Sequence, residues 1–167
     1  QRRVEIETYR TVALLAQPQA QSHQPLIHNI EVELSRLTQD MESVSTSDQE
    51  YALMQQLIAL AARIEAMEQA SGSRFAAAEA YWKIVRARIA DIRESRIEGS
   101  PTIAEFMTRR LVPAIEFCQS VHARQQDIAE RVAHASDLLR TRVSINQERQ
   151  NSAIQASLNR RAKAQLR

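Results

Sequence analysis

The stretch from Pro101 to Arg167 contains no glycine and only one further proline, Pro113. Glycine and proline are the residues that most readily end a helix, so this stretch predicts one helix from about Pro101 to the end of the chain. At a rise of 1.5 Å per residue, that helix would be about 100 Å long if continuous. A mainly apolar seam recurs along it every three or four residues, as on one helix face: Met107, Leu111, Ala114, Cys118, Val121, Gln125, Ile128, Val132, Ala135 and Leu139, followed in the same register by Arg142, Asn146 and Arg149.

The whole composition favours helices. The chain has only two glycines, and aromatic residues make up 4% of its 167 residues. Few glycines and prolines mean few turns, and the scarcity of aromatic residues argues against a sheet. The sequence therefore predicts an all-α fold, an elongated bundle of long antiparallel helices with coiled-coil-like packing and a long C-terminal helix.

Two further helices are predicted in the first part of the chain. The first covers Arg3 to Ala16, with a face predicted to contain Val4, Tyr9, Val12 and Leu15. Pro18 and Pro25 then bracket a glutamine-rich segment that predicts a loop or a kink. From Ile27 onward a narrow stripe continues as a second helix, through Ile30, Leu34, Leu37, Met41 and Val44.

Serine and glycine residues suggest where the next helices begin and end. Ser47 and Glu50 have the spacing of a capping box, which predicts the start of a third helix. The Ser-Gly-Ser at 71–73 predicts either a bend or a hairpin, and we favour the hairpin because Gly72 suits the residue just past a helix end. Gly99 is predicted to close the fourth helix. Ser100 with Pro101, or Thr102 with Glu105, would start the fifth.

Positive charge is concentrated at the C-terminus. From Leu138 onward there are seven basic residues and one acid, Glu148, a local charge of +6 in a chain of net charge +2. The stretch up to Ala70 has five basic residues and ten acids. Such asymmetry is typical of a chain with one end that meets an anionic surface. We predict a helical bundle over 1–139 and a basic, membrane-proximal helical extension over 140–167, in which anionic lipid or a partner would be contacted by Arg140, Arg142, Arg149, Arg160, Arg161, Lys163 and Arg167.

The sequence contains no pattern that predicts catalysis, a cofactor or a metal site. The two histidine pairs, His23 with His28 and His122 with His134, lack the same-face spacing of a metal site. Cys118 falls in the apolar seam, where a thiol is usually a small core residue. The sequence therefore predicts a protein that is not an enzyme, with no cofactor and no small-molecule substrate.

Five sequence phrases, in this order and spacing, resemble the bacterial domain of unknown function family 3422: ETYRTVALL (7–15), RFAAAEAY (74–81), RRLVPA (109–114), LLRTRV (138–143) and RRAKAQLR (160–167). Members of that family are described as predicted membrane-anchored proteins. The resemblance implies that hydrophobic segments follow the region that matches 165–167. It supplies no catalytic residue for this chain.

Charge and resemblance together predict a non-catalytic scaffolding or oligomerisation domain of a bacterial membrane-anchored protein, at the cytoplasmic face of the inner membrane. The polar residues Asn146, Gln150 and Asn159 suit a helix that associates with copies of itself. The alternative is the cytoplasmic domain of a CorA-like ion channel or transporter, which the chain resembles in architecture alone. Nucleic-acid binding is less favoured, because the basic tail has no aromatic residue on which bases would stack.

Overall fold

The computed structural model describes residues 2–165, which form four α-helices: α1 (Arg2–Leu14), α2 (Gln17–Ser43), α3 (Ser47–Ile92) and α4 (Ile103–Gln165). There is no strand among these residues, and the prediction of an all-α fold is confirmed. The predicted long C-terminal helix is also confirmed, since α4 has 63 residues and is therefore about 95 Å long.

Side-chain contacts establish the directions of the helices. The rings of Tyr9 in α1 and Tyr81 in α3 stack with their centroids 5.7 Å apart. Nearer the other end of α3, Arg63 forms an ion pair of 2.6 Å with Glu33 of α2. Thus α1 and α2 lie one after the other along α3 and antiparallel to it. The last helix, α4, is antiparallel to α3 and parallel to α2.

The core lies where α4 packs against α2 and α3. All ten seam positions predicted between Met107 and Leu139 are buried. They meet the stripe of α2 and a matching row of α3, and removing each large side chain of these rows from water contributes about 1.5–3 kcal/mol. The buried positions that face them are Ile27, Ile30, Leu34 and Leu37 of α2, and Leu53, Leu57, Leu60, Ile64, Met67, Phe75, Ala78 and Val85 of α3.

The predicted apolar face of the first helix is partly wrong. Val4 and Leu15 are 69% and 60% exposed, whereas Ile6 is buried and Tyr9 packs against the core. Buried Ala16 and Ala20 continue that face across the junction between α1 and α2, and they bring it into register with Ile27. Because α1 and α2 both pack against α3 and α4, they bury one continuous face, despite the break between the two helices.

Of the loop or kink predicted between Pro18 and Pro25, the loop is wrong, because both prolines lie within α2. Pro18 lies in the first turn of α2, where backbone N–H groups have no acceptor within the helix, so proline loses no hydrogen bond there. Pro25 lies inside the same helix. Pro113 likewise lies inside α4. Both internal prolines are exposed, so the carbonyls that lose an N–H partner face the solvent side of their helices, where water can replace the partner.

The hairpin predicted at residues 71–73 does not form, because α3 continues through them. An ideal Cβ at Gly72 would meet nothing within 4 Å, and its backbone is not in the left-handed region. Ser71 is fully buried and donates from Oγ to the Met67 carbonyl oxygen at 2.8 Å. The small, polar Ser-Gly-Ser sequence is therefore part of a packed helix, and the predicted third and fourth helices are one.

The helix ends differ from the prediction at two of three places. Thr46 and Gln49, rather than Ser47 and Glu50, form the capping box of α3. This helix ends at Ile92 with Arg93 in the left-handed conformation, and Gly99 lies in the following loop. At the start of α4, the predicted box of Thr102 with Glu105 is confirmed by hydrogen bonds of 3.1 and 3.2 Å. The Glu94 carboxylate adds a second acceptor for the first amides of α4.

We expect Gly72→Ala to stabilise the protein by about 0.5–1 kcal/mol, since alanine restricts the unfolded chain and fits a helix interior better than glycine. Urea denaturation followed by circular dichroism would measure the change. The matched control is Gly99→Ala, which should destabilise because Gly99 has φ +83°. Destabilisation by Gly72→Ala would contradict a continuous α3.

Candidate functional site

The end of α4 extends beyond the bundle. From Gln147 to Ala164 every residue is exposed except Ser157, which is half-buried. From here on, the extension means these exposed residues, 147–164, which are part of the segment 140–167 predicted above. As a helix, the extension is about 27 Å long. A free helix of this length is marginal in water, so its continuity with the packed part of α4 helps to hold it in shape. Within residues 2–165, no helix has both the length and the apolarity to cross a bilayer.

The seven predicted contact residues fall into different environments. Arg140 is exposed and lies 3.7 Å from Asp137, one turn away. Arg142 is half-buried and bonds to α2, as described below. Arg167 lies outside the described residues. The remaining four are exposed and form no ion pair with another described residue: Arg149, Arg160, Arg161 and Lys163.

The extension has two distinct faces. At about 100° per residue, Arg149, Arg160 and Lys163 lie within about 60° of one another, on the side that carries the buried seam lower in α4. Ile154 and Leu158 lie on the opposite side, and each is 56% exposed. One face is therefore basic, and the other carries two apolar side chains.

Arg142 joins the base of the extension to the end of α2. Its guanidinium donates to the backbone carbonyl oxygens of Met41 and Val44, which have no later amide in α2 to accept from. A positive charge at a helix C-terminus is also favourable to the helix dipole. Although Arg142 was predicted to contact a membrane or a partner, its guanidinium bonds to α2 in this structure.

Glu50 completes the same junction from the first turn of α3. Its side chain is 6% exposed and accepts a hydrogen bond of 2.7 Å from the Asn146 amide, while the Arg142 guanidinium lies 3.9 Å away. Sequence reasoning placed Glu50 in a cap and missed this role. The signal was present, because Glu50 precedes Leu53 in the buried row of α3, and Arg142 and Asn146 continue the seam of α4.

We expect Arg142→Ala to destabilise the protein by about 1–3 kcal/mol, because it leaves two backbone carbonyls and the buried Glu50 carboxylate without their guanidinium partner. The free energy of unfolding from urea titration would measure this. Arg140→Ala is the control: it removes the same charge two residues away and should change stability by less than about 0.5 kcal/mol. Equal effects of the two substitutions would refute the structural role of Arg142.

A second polar cluster lies in the middle of the core. His23, Ser71 and Gln125, one from each long helix, are all buried. The Ser71 hydroxyl lies 3.4 Å from Gln125 Oε1, and Gln19 Nε2 lies 3.0 Å from His23 Nε2. His23 Nδ1 and Gln125 Nε2 have no hydrogen-bond partner within the part of the chain described. These polar residues interrupt three otherwise apolar rows at one level.

The other residues considered for chemistry are dispersed. His28 and His134 are exposed, and His122 is half-buried with its ring 5.6 Å from that of Phe75. Cys118 is buried, and burial raises the pKa of its thiol. Over residues 2–165, no group of three or more His, Cys, Asp or Glu side chains is arranged to hold a metal ion.

Burial lowers the pKa of His23 below its usual value of 6.5, and the nearby Gln125 side chain partly opposes this. The unfolded chain then takes up the proton more readily than the folded one. We expect the stability contributed by neutral His23 to be retained above pH 6.5 and to fall below it, by at most about 1.4 kcal/mol per pH unit.

Thermal unfolding between pH 5 and pH 8 would measure this dependence. His23→Gln should flatten the pH profile, whereas His134→Gln, at an exposed histidine, should leave it unchanged. An identical profile for the wild type and His23→Gln would show that His23 does not contribute.

Comparison with known proteins identifies the family. The model of the family described as "Protein of unknown function (DUF3422)" matches residues 1–167, the whole chain. No curated protein and no solved structure matches it. The resemblance carried by the five sequence phrases is thus confirmed, and the chain belongs to the DUF3422 family.

Proposed function

We propose that this chain is a non-catalytic scaffolding domain of a bacterial membrane-anchored protein, which holds a basic helix against the anionic cytoplasmic face of the inner membrane and associates with copies of itself. The observation that carries the proposal is the extension, in which Arg149, Arg160, Arg161 and Lys163 are exposed without an acidic partner among the described residues.

The charges of the extension support contact with anionic lipid. An exposed helix that uses its cations to stabilise its own fold would pair them with acids three or four residues away. Five ion pairs of Arg or Lys within the bundle have that spacing in α2, α3 and α4, such as Arg36 with Asp40 and Lys83 with Glu79. The extension cations have no such partner. Basic residues near an anionic membrane each contribute about 1 kcal/mol of attraction.

The junction at the base of the extension supports a scaffolding role. Arg142 and Asn146 connect α4 to the end of α2 and to Glu50 of α3. Because three helices meet there, the direction of the extension is coupled to the packing of the whole bundle. A bundle of this kind can hold the basic face at a set distance from its other end.

We expect the chain to bind vesicles that contain about 30% phosphatidylserine or phosphatidylglycerol, and not vesicles of phosphatidylcholine alone. Replacing Arg160, Arg161 and Lys163 by glutamine should weaken binding at least tenfold without loss of helicity, since the three side chains are exposed. Co-sedimentation at low and physiological salt, with circular dichroism in parallel, would measure both.

The matched control removes three positive charges elsewhere, with Arg86, Arg88 and Arg109 replaced by glutamine. These residues lie in the bundle, away from the extension. If both triple variants bind vesicles equally, attraction depends on net charge and not on the extension. Binding to single-stranded DNA that exceeds binding to the anionic vesicles would instead favour a nucleic-acid partner.

A further inference from the structure

The end of the bundle from which the extension projects is acidic. Residues 37–62, which form the end of α2 and the start of α3, contain four acids and no basic residue. The part of α4 beside them, 134–149, adds three basic residues and two acids, so this end has a net charge of −3 with histidine neutral. Glu42 and Asp48 are exposed there and form no ion pair within residues 2–165. An anionic membrane would repel this end of the bundle.

The extension separates this acidic end from a basic tip. Its middle, residues 150–159, contains no charged side chain. We define the tip as residues 160–164, which are all exposed and include no acid. Charge is therefore ordered along the helix axis as acidic, uncharged and basic. The tip contains three basic residues: Arg160, Arg161 and Lys163.

The uncharged middle holds the tip at a distance from the acids of the bundle. Because Glu50 bonds to Asn146 in the antiparallel α4, Asp48 is level with about residue 148. From that level to Arg160 is about 18 Å along the axis. The Debye length is about 8 Å at physiological ionic strength, so a membrane in contact with the tip repels these acids only weakly. If the extension lay flat, the acidic end of the bundle would approach the membrane with it and oppose binding.

The positions of side chains around the extension also favour an upright contact. At about 100° per residue, Arg160, Arg161 and Lys163 spread over about 160° of the circumference, and Ile154 and Leu158 extend this arc to about 220°. A helix that lies in the membrane interface needs its apolar side chains on one face with its cations beside them. Here no single face carries all five side chains. A contact through the tip uses all three cations, whichever side of the helix each one is on.

We propose that the extension is a spacer that stands upright on an anionic lipid surface, with Arg160, Arg161 and Lys163 in contact with lipid and the acidic end of the bundle about 18 Å away. The inference rests on the proposed membrane contact and specifies its orientation. It also distinguishes the exposed cations from one another. Arg149 lies at the acidic end, beyond the reach of the surface, and contributes little to binding.

Shortening the extension tests the spacer. Deletion of residues 151–157 removes two helical turns, about 10.5 Å, without removing any charge, and it rotates the tip by only about 20°. Asp48 would then lie about 7.5 Å from the tip along the axis, within one Debye length. In about 0.15 M salt, we expect the shortened chain to bind vesicles with about 30% phosphatidylglycerol about threefold more weakly than the wild type does, as measured by co-sedimentation.

Two further variants identify the cause of the weaker binding. Duplication of residues 151–157 lengthens the extension by two turns and should leave binding in about 0.15 M salt unchanged. Glu42→Gln together with Asp48→Asn should restore binding by the shortened chain, but should change binding by the wild-type length less than about twofold. In about 0.01 M salt, where the Debye length is about 30 Å, the same two substitutions should strengthen binding by the wild-type length as well.

Equal binding by the shortened and wild-type chains would overturn the upright spacer and leave the membrane contact in place. A shortened chain that is not rescued by the Glu42 and Asp48 substitutions would do the same. A wild type that binds no anionic vesicles would refute the proposed membrane contact, and this inference with it. Thermal unfolding followed by circular dichroism would check that each bundle is folded, which we expect because the deleted side chains are exposed except for half-buried Ser157.

Discussion

The apolar seam of α4 is the constraint on which the rest of the structure depends. Its ten positions from Met107 to Leu139 are buried, and they pack between the rows of α2 and α3. Because the seam repeats every three or four residues without interruption, it requires partner rows of the same spacing and nearly the same length. This explains why α3 continues through Gly72 and why α1 and α2 share one face across their junction. A break in either partner would leave part of the seam exposed.

The buried face of α4 changes from apolar to polar at Arg142, and the change separates the bundle from the extension. An arginine at a seam position is stable there because two backbone carbonyls at the end of α2 accept hydrogen bonds from its guanidinium, and the negative charge of the Glu50 carboxylate lies 3.9 Å away. Beyond Asn146, no other helix within residues 2–165 buries α4, whose residues 147–164 are exposed except for half-buried Ser157. The same continuous helix therefore acts as a core element over most of its length and as an exposed basic rod at its end.

Much of the fold was predictable, because helix content and helix faces depend on local spacing. The seam of α4, the stripe of α2 and the capping box of Thr102 with Glu105 are as predicted. The errors occurred where a local signal has two meanings. Ser71 and Gly72 are typical of a turn, yet Ser71 is buried opposite Gln125, a contact between residues 54 positions apart. Glu50 has the spacing of a capping residue, yet it accepts from Asn146, which is 96 positions away.

The sequence by itself determined that the chain is helical, which faces of α2 and α4 are apolar, and where positive charge collects, since these follow from composition and from spacing within one helix. Only the tertiary structure decided the number of helices, the burial of His23 and Glu50, and which cations remain exposed. A segment such as Ser-Gly-Ser can form a turn or continue a helix, and a charged side chain can be exposed or buried beside a partner. The local free energies of these alternatives are similar. Contact with a distant helix is what selects between them.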